Sequence, residues 1–305
     1  MTGGDAGPPR LGERALSHLR AVIDRPLVDG TRYELGELLG RGGMGSVYRA
    51  RDRELERDVA LKVLTLPDPG GEFGARLAAE ARVLARLEHP GIVPVHDVGV
   101  LPDGRPYYAM KLVRGERLDD RLRQGLPAGE AHRVFARVAE AVAFAHSHGV
   151  VHCDLTPQNV MSGAFGEVLV LDWGLATASG RPLRAGTPGF LAPEQRTAEA
   201  PVDARTDVFA LGRLLGELQL PGRAVAAIVG KATAAQPAAR YASVPELAAD
   251  VARAAQGLPV SALPEGPLAL LARFYRHNRA AVWLVLAYAV LRIGFELVRS
   301  LGAGR

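Results

Sequence analysis

A glycine-rich segment near the start of the chain has the spacing of a loop that binds phosphate. Residues 40–47 read Gly-Arg-Gly-Gly-Met-Gly-Ser-Val, which is a G-x-G-x-x-G-x-V pattern. Glycine lets the backbone approach a phosphate closely and point N–H groups at its oxygens. A dinucleotide-binding turn needs a helix directly after the glycines, whereas residues 46–50 have the pattern of a strand. A dinucleotide fold is therefore disfavoured, and two alternatives stay open: a phosphate-binding hairpin or a glycine-rich hairpin without a ligand.

A lysine in the middle of an apolar strand is the second group suited to anion chemistry. Residues 59–62 read Val-Ala-Leu-Lys, and Lys62 follows Gly45 by 17 residues, which allows both to lie in one sheet. An ammonium group inside an apolar strand needs a compensating anion, and Glu80 on the predicted helix that follows is the candidate. Such a pair would hold and orient a polyphosphate. The alternative is a lysine that reaches solvent at a strand edge.

Carboxylate and amide side chains occur together in two later loops. Asp154 and Asn159 lie five residues apart between apolar runs, and Asp172 directly follows the apolar residues 169–171. Carboxylate and amide oxygens are the ligands of a hard cation such as Mg²⁺, and a carboxylate near them can act as a base. Taken one at a time, each segment is equally compatible with an ordinary loop that carries a solvated acid.

The elements that must position these groups form a β-rich region followed by a larger helical region. Short apolar, β-rich runs predict strands at 33–35, 46–48, 59–64, 92–98 and 107–113. Helical spacing and composition predict helices at 11–24, 72–88, 129–148, 203–219 and 244–256. We therefore expect an α+β fold with a small β-rich lobe and a larger α-helical lobe. Residues 1–32 are expected to be an N-terminal extension.

The composition excludes several classes of protein. The chain has 305 residues and is 48% hydrophobic, which allows a large core and excludes wholesale disorder. The formal net charge is +4, and no run of five or more basic residues occurs, which argues against a nucleic-acid partner. Cys153 is the single cysteine, so an intramolecular disulfide and a multi-cysteine zinc site are excluded. The N-terminus lacks an apolar segment of signal-peptide length, so secretion is not expected.

Taken in order, these motifs resemble those of the protein kinase superfamily, over about residues 33–257. The spacing and order make the match specific, and the local sequence is similar to bacterial kinases of the eukaryotic Ser/Thr type. The resemblance implies a two-lobed kinase fold with an N-lobe at 33–112, a C-lobe at 113–257 and ATP between them. The matching motifs are the glycine-rich loop, Val-Ala-Leu-Lys, the helix glutamate, His-x-Asp-x4-Asn at 152–159, Asp-x-Gly at 172–174 and Ala-Pro-Glu at 192–194.

The resemblance implies a role for each matching polar residue. Asp154 would accept the proton of the substrate hydroxyl, and Lys62, paired with Glu80, would bind the α and β phosphates of ATP. Asn159 and Asp172 would hold Mg²⁺. ATP and Mg²⁺ are therefore the expected cofactors.

Other matching positions concern the acceptor and the nucleotide. Thr187 matches the threonine that contacts the catalytic loop in Ser/Thr kinases, so the expected partners are proteins with Ser or Thr acceptors. The oligomeric state is left open. Besides Lys62, the positions expected to contact ATP are Leu39, Gly40, Gly42, Gly45, Val47, Ala60, Met110, Lys111, Val113 and Met161.

Three positions depart from the family pattern. Cys153 stands where an arginine usually receives a phosphate of the activation segment, which here is the stretch between Asp172 and Glu194, so we expect weak or no dependence on phosphorylation of that segment. Thr156 stands where Ser/Thr members usually carry a lysine, and the missing cation could cost about 2–4 kcal/mol of transition-state stabilisation. Trp173 replaces a phenylalanine, which predicts a packing change. The Lys62–Glu80 pair, the base Asp154 and the metal ligands Asn159 and Asp172 are all present, so the sequence favours an active kinase over an ATP-binding pseudokinase scaffold.

The end of the chain predicts a hydrophobic helix after a linker and basic segment at 258–279. The uninterrupted apolar run at 280–291 is too short for a bilayer core of about 30 Å. Extension to 280–298 gives about 28 Å of helix but includes Arg292 and Glu296, which can pair on one helix face. A transmembrane anchor, an in-plane amphipathic helix and a helix docked on the kinase are the alternatives. The anchor is favoured, and the preceding arginines would keep the kinase domain in the cytoplasm.

Overall fold

A computed structural model describes most of the chain. It covers residues 25–42, 45–64, 71–163, 165–178, 180–181, 183, 185–197, 200–263, 275 and 278–302. The predicted helix at 11–24 and the start of the N-terminal extension lie outside the described residues.

The predicted strands of the N-terminal region form one antiparallel sheet. Its strand order is β1-β2-β3-β5-β4. β3 is buried on both faces, as its nearly continuous apolar sequence predicts. The register places Val47, Lys62 and Tyr108 side by side across the three central strands. The strands are β1 (Tyr33–Gly42), β2 (Gly45–Asp52), β3 (Arg57–Leu64), β4 (Val95–Val100) and β5 (Pro106–Lys111).

One helix, α1 (Glu72–Arg86), packs against this sheet through β4 and β5. Its apolar residues Leu77, Ala81 and Leu84 recur at helical spacing and are buried. Glu80 lies among them and is 4% exposed. The helix predicted at 72–88 is thus confirmed, and it carries a carboxylate into the space below the sheet.

The second half of the chain is mainly helical, and the helices predicted at 129–148, 203–219 and 244–256 are confirmed to within a few residues. The helices are α2 (Leu118–Gln124), α3 (Ala128–Ser147), α4 (Ala204–Glu217), α5 (Arg223–Ala232) and α6 (Val244–Ala255). Five short strands form two further sheets, ordered β6-β8-β9 and β10-β7. These strands are β6 (Gly115–Arg117), β7 (Val150–Val151), β8 (Val160–Gly163), β9 (Val168–Val170) and β10 (Thr177–Ala178).

The largest apolar cluster extends from α1 into the helical lobe and connects the two regions. Leu84 of α1 and Trp173 are both buried within it, and the Trp173 ring lies 4.5 Å from the ring of His152. The backbone N–H of Val170 also donates to the carbonyl of Gly91 at 2.8 Å. The sheet and the helical lobe are therefore held together directly beside the loops that carry the candidate residues.

A buried ion pair braces the helical lobe. The guanidinium of Arg240 is fully buried and donates to both carboxylate oxygens of Glu194, at 2.7 and 2.8 Å. It also donates to three backbone carbonyls. Burial alone would raise the pKa of Glu194, but the hydrogen bonds from Arg240 and Thr206 outweigh it and hold the pKa below its ordinary value.

The substitution Glu194→Gln is expected to lower the free energy of unfolding by about 3 kcal/mol, because it leaves a buried guanidinium without its counter-charge. Urea unfolding at pH 7 measures the loss. The matched control is Glu140→Gln, whose carboxylate pairs with Arg137 on the surface and is worth about 0.5 kcal/mol or less. Because the folded-state pKa is lowered, the contribution of Glu194 is present above its unfolded pKa and lost as the pH falls through the folded value. Equal losses of unfolding free energy in the two variants would show that the Glu194–Arg240 pair does not brace the helical lobe.

The last described helix is α7 (Arg279–Gly302), which contains the segment predicted at 280–298. Its large apolar side chains from Trp283 to Ile293 are exposed. The expectation that this segment crosses a membrane is not supported, since no helix among the described residues is both long and apolar enough for that. The uninterrupted apolar run ends before Arg292.

Candidate active site

The side chain of Lys62 forms the centre of a charged network with one buried and one half-exposed carboxylate. Its ammonium donates to Glu80 Oε1 at 2.8 Å, to Glu80 Oε2 at 3.0 Å and to Asp172 Oδ1 at 2.9 Å. Burial alone would lower the pKa of Lys62, but the carboxylates of Asp172 and Glu80 outweigh it and raise the pKa above its ordinary value. The predicted pair of Lys62 and Glu80 is therefore formed, and a cation faces the space between the lobes.

The glycine-rich segment forms a hairpin above this network. Gly40 pairs with Val47 and Gly42 pairs with Gly45 across β1 and β2. A Cβ atom on Gly45 would collide with the carbonyl oxygen of Val63 on β3, so only glycine allows this approach of the two strands. The strand that follows the glycines confirms the expectation against a dinucleotide turn.

A buried carboxylate, Asp207 of α4, holds the loop that carries Asp154. Its two oxygens accept hydrogen bonds from the backbone N–H groups of His152 and Cys153, at 2.8 and 2.9 Å. His146 contributes a third contact to it, at 2.7 Å. Cys153 has a φ of 68°, an unusual conformation for a residue other than glycine. The bonds to Asp207 stabilise that conformation and direct Asp154 into the cleft.

The carboxylate of Asp154 is oriented by Thr187. The backbone N–H and the hydroxyl of Thr187 both donate to Asp154 Oδ1, at 2.8 and 2.7 Å. Within the described part of the chain, Asp154 Oδ2 has no hydrogen-bond partner. The arrangement fixes one carboxylate oxygen and leaves the other one available to accept a proton.

Asn159 and Asp172 have oxygens suited to a hard cation. Asn159 donates through Nδ2 to the carbonyl of Asp154 at 2.8 Å, so its amide oxygen stays available. Asp172 has a φ of 55°, and its side chain is 52% exposed. Its partial burial would raise its pKa, but the charge and hydrogen bond of Lys62 outweigh this and lower the pKa. An ionised carboxylate and an amide oxygen fit Mg²⁺.

These groups face one cleft of about 700 Å³ between the sheet and the helical lobe. The structure brings the predicted site residues together there, except Glu80 and Thr187. These two do not line the cleft, but they hydrogen-bond to Lys62 and Asp154, which do. Predicted residues that line the cleft are Leu39, Gly40, Gly42, Gly45, Val47, Ala60, Lys62, Met110, Lys111, Val113, Asp154, Asn159, Met161 and Asp172.

The family model described as the protein kinase domain matches residues 33–243. The chain belongs to the protein kinase family. The kinase domain of Mycobacterium tuberculosis PknI, a solved structure, is similar in fold, with a TM-score of 0.58 and 30% sequence identity. The match covers 73% of this chain and 96% of that one, in agreement with the two-lobed architecture.

Two curated relatives are named serine/threonine-protein kinases. RqkA of Deinococcus radiodurans, described as DNA damage-responsive, is 44% identical over 209 residues, which is 62% of this chain and 30% of the relative. PknB of Mycobacterium tuberculosis is 37% identical over 286 residues, which is 78% of this chain and 45% of the relative. The chain therefore spans less than half the length of these relatives.

Several residues that line the cleft were not predicted from the sequence, notably Tyr108 and Arg117. The strand period does place Tyr108 on the same face as Met110, but an aromatic residue in a strand is typical of a core. The Arg117 guanidinium lies 3.2 Å from the place where a Cβ on Gly40 would be. Its position depends on the tertiary fold, and no sequence pattern indicates it.

Cys153, the first departure from the family pattern, is buried in a small apolar cluster with Val151 and Val202. Leu175 and Leu183 of the activation segment pack against this cluster. Burial, followed by the nearby carboxylates, raises the pKa of the thiol, so this position carries neither a positive nor a negative charge.

The side chain of Gln195 connects the loop that carries Asp154 to the activation segment. Gln195 is buried, and its Nε2 donates to the carbonyls of Cys153 at 2.8 Å and Ala185 at 2.9 Å. Its Oε1 accepts from the N–H of Ala192 at 3.1 Å. These hydrogen bonds between neutral groups hold the segment against the loop together with the two that Thr187 donates to Asp154.

Proposed function

We propose that this chain transfers the γ-phosphoryl group of ATP to Ser or Thr hydroxyls of protein substrates. The observation that carries the proposal is the convergence, in one cleft, of the Lys62 ammonium with its two carboxylates and of Asp154 oriented by Thr187. The names of the curated relatives support the same activity. The lobe boundaries at 33–112 and 113–257 stay a prediction.

The nucleotide would lie between the lobes with its phosphates below the hairpin. Lys62 would bind the α and β phosphates, and its raised pKa keeps the ammonium charged at neutral pH. Backbone N–H groups of the glycine-rich segment would contact phosphate oxygens. The adenine would meet apolar side chains and the backbone of the segment that joins the lobes: Leu39, Val47, Ala60, Met110, Lys111, Val113 and Met161.

Asp154 would act as the base. The substrate hydroxyl gives its proton to the carboxylate of Asp154, its oxygen bonds to the γ phosphorus, and the bond from that phosphorus to the β–γ bridging oxygen breaks, releasing ADP. Asn159 and Asp172 would hold Mg²⁺, which supplies positive charge that offsets the charge of the phosphates. Thr187 holds Asp154 in the required orientation.

Phosphoamino-acid analysis tests the acceptor. The purified chain is incubated with γ-labelled ATP, Mg²⁺ and a generic basic protein substrate, and the product is hydrolysed. We expect labelled phosphoserine and phosphothreonine. Label recovered mainly as phosphotyrosine would contradict the proposed acceptor, and ATP binding without transfer would favour the pseudokinase alternative.

Phosphatase treatment tests how the activation segment is held. Because Cys153 offers no cation to a phosphate, and Gln195 and an apolar cluster already hold the segment, activity should change by less than about twofold. The measurement compares kcat before and after complete dephosphorylation, verified by mass spectrometry. A loss of tenfold or more would show that a phosphate stabilises the active conformation.

A further inference from the structure

A tyrosine outside the family motifs contacts the charged network of the site. We propose that Tyr108 is a positioning residue that holds Glu80, and with it helix α1, in the place where the carboxylate pairs with Lys62. The expected effect on the reaction rate rests on the proposed kinase function. The expected effect on ATP binding does not, because it depends only on the position of the Lys62–Glu80 pair.

The geometry of Tyr108 connects three elements of the fold. Its hydroxyl donates to Glu80 Oε1 at 2.8 Å, across β5 and α1. It lies directly opposite Lys62 in the register of β3 and β5, and the Lys62 ammonium is 5.6 Å from the centre of its ring. The side chain is 1% exposed. One residue thus contacts both members of the pair.

The hydrogen-bond requirements of Glu80 explain why this contact matters. Its carboxylate is buried, so each oxygen needs partners within the protein. Oε1 accepts from both Lys62 and Tyr108, whereas Oε2 accepts from Lys62 alone among the described residues. When Lys62 turns toward a phosphate, the hydroxyl of Tyr108 continues to hold Oε1. Burial raises the pKa of Tyr108 well above its ordinary value, so the hydroxyl stays a donor.

Helix α1 depends on contacts of this kind for its position. Gly71 precedes the helix at a φ of 73° and has no side chain with which to cap it. The helix packs on β4 and β5 through apolar side chains, which permit small shifts because apolar contacts have no preferred direction. A directional hydrogen bond from a central strand restricts such shifts. Tyr108 therefore fixes the carboxylate end of the pair.

A double-mutant cycle tests the inference. Tyr108→Phe removes one oxygen and keeps the ring, and it should raise the KM for ATP and lower kcat/KM about tenfold, which corresponds to about 1.4 kcal/mol. The KM for the peptide substrate should not change. In a Glu80→Ala background, which removes the acceptor oxygen, the same substitution should cost less than about twofold. If Tyr108→Phe only reduced the fraction of folded protein, the apparent kcat would fall and the KM for ATP would stay unchanged.

The neighbouring tyrosine provides a matched control. Tyr107 points to the other face of β5, where its hydroxyl donates to Asp97 at 3.2 Å. Tyr107→Phe should leave the KM for ATP unchanged, and it should behave identically in both Glu80 backgrounds. The Kd of ATP is measured for the same variants. The inference can then be tested even if the chain binds ATP without transferring phosphate. An unchanged KM and Kd in Tyr108→Phe, or an equal cost in both backgrounds, would overturn the inference.

Discussion

Replacement of Asp154 with asparagine should lower kcat about 10³-fold, within the range that general-base catalysis supplies. Asparagine keeps an oxygen that can accept the two hydrogen bonds from Thr187, so the loop geometry should persist. It cannot accept the proton of the substrate hydroxyl. Because Asp154 is not expected to contact the adenine or the α and β phosphates, the Kd of ATP should stay within about twofold. Steady-state kinetics and nucleotide titration measure the two quantities.

The control for this substitution is Asp29→Asn, which makes the same chemical change at an exposed residue outside the cleft. It should leave both kcat and the Kd of ATP unchanged. A kcat for Asp154→Asn within tenfold of the unsubstituted chain would show that Asp154 is not the base. A parallel loss of ATP binding would instead indicate that the substitution disturbs the cleft.

Introducing a lysine at position 156 should raise kcat on the order of 10²-fold, comparable to the effect of one donor that stabilises a developing negative charge. Thr156 lies two residues after Asp154 and is 1% exposed. The chain has only three lysines, none at this position. A lysine here could extend toward the γ-phosphoryl group, where negative charge has to be offset in the transition state.

Thr156→Met is the matched control, because methionine approaches lysine in length and carries no charge. Both variants place a longer side chain at a buried position, so both are expected to lose some folded protein. Active-site titration measures the folded fraction, and kcat is expressed per folded molecule. We expect a gain in kcat for Thr156→Lys only. Equal rates in the lysine variant and the unsubstituted chain would show that another group already supplies the charge.

Local patterns in the sequence predicted most of the fold. The apolar run of β3 has a single lysine, and the apolar residues of α1 recur at helical spacing, so both elements could be placed from their periods. The resemblance of the ordered motifs to those of kinases then implied one cleft for Lys62, Asp154, Asn159 and Asp172.

Contacts between distant residues could not be predicted in the same way. The hydrogen bond of Tyr108 to Glu80 joins residues 28 apart, and that of Thr187 to Asp154 joins residues 33 apart. A buried tyrosine in a strand satisfies the pattern of an apolar core, so its hydroxyl has no separate signal in the sequence. The resemblance to kinases implied the Thr187 contact but contained no information on Tyr108.

Phosphate transfer and ATP binding, measured in one preparation of the purified chain, test whether Asp154 supports phosphoryl transfer in this cleft. With γ-labelled ATP, Mg²⁺ and a Ser/Thr-containing protein substrate, we expect label on the substrate that increases with time for the unsubstituted chain and stays at background for Asp154→Asn, while both forms of the chain bind ATP. ATP bound by the unsubstituted chain with no label above the Asp154→Asn background would contradict the proposed kinase activity.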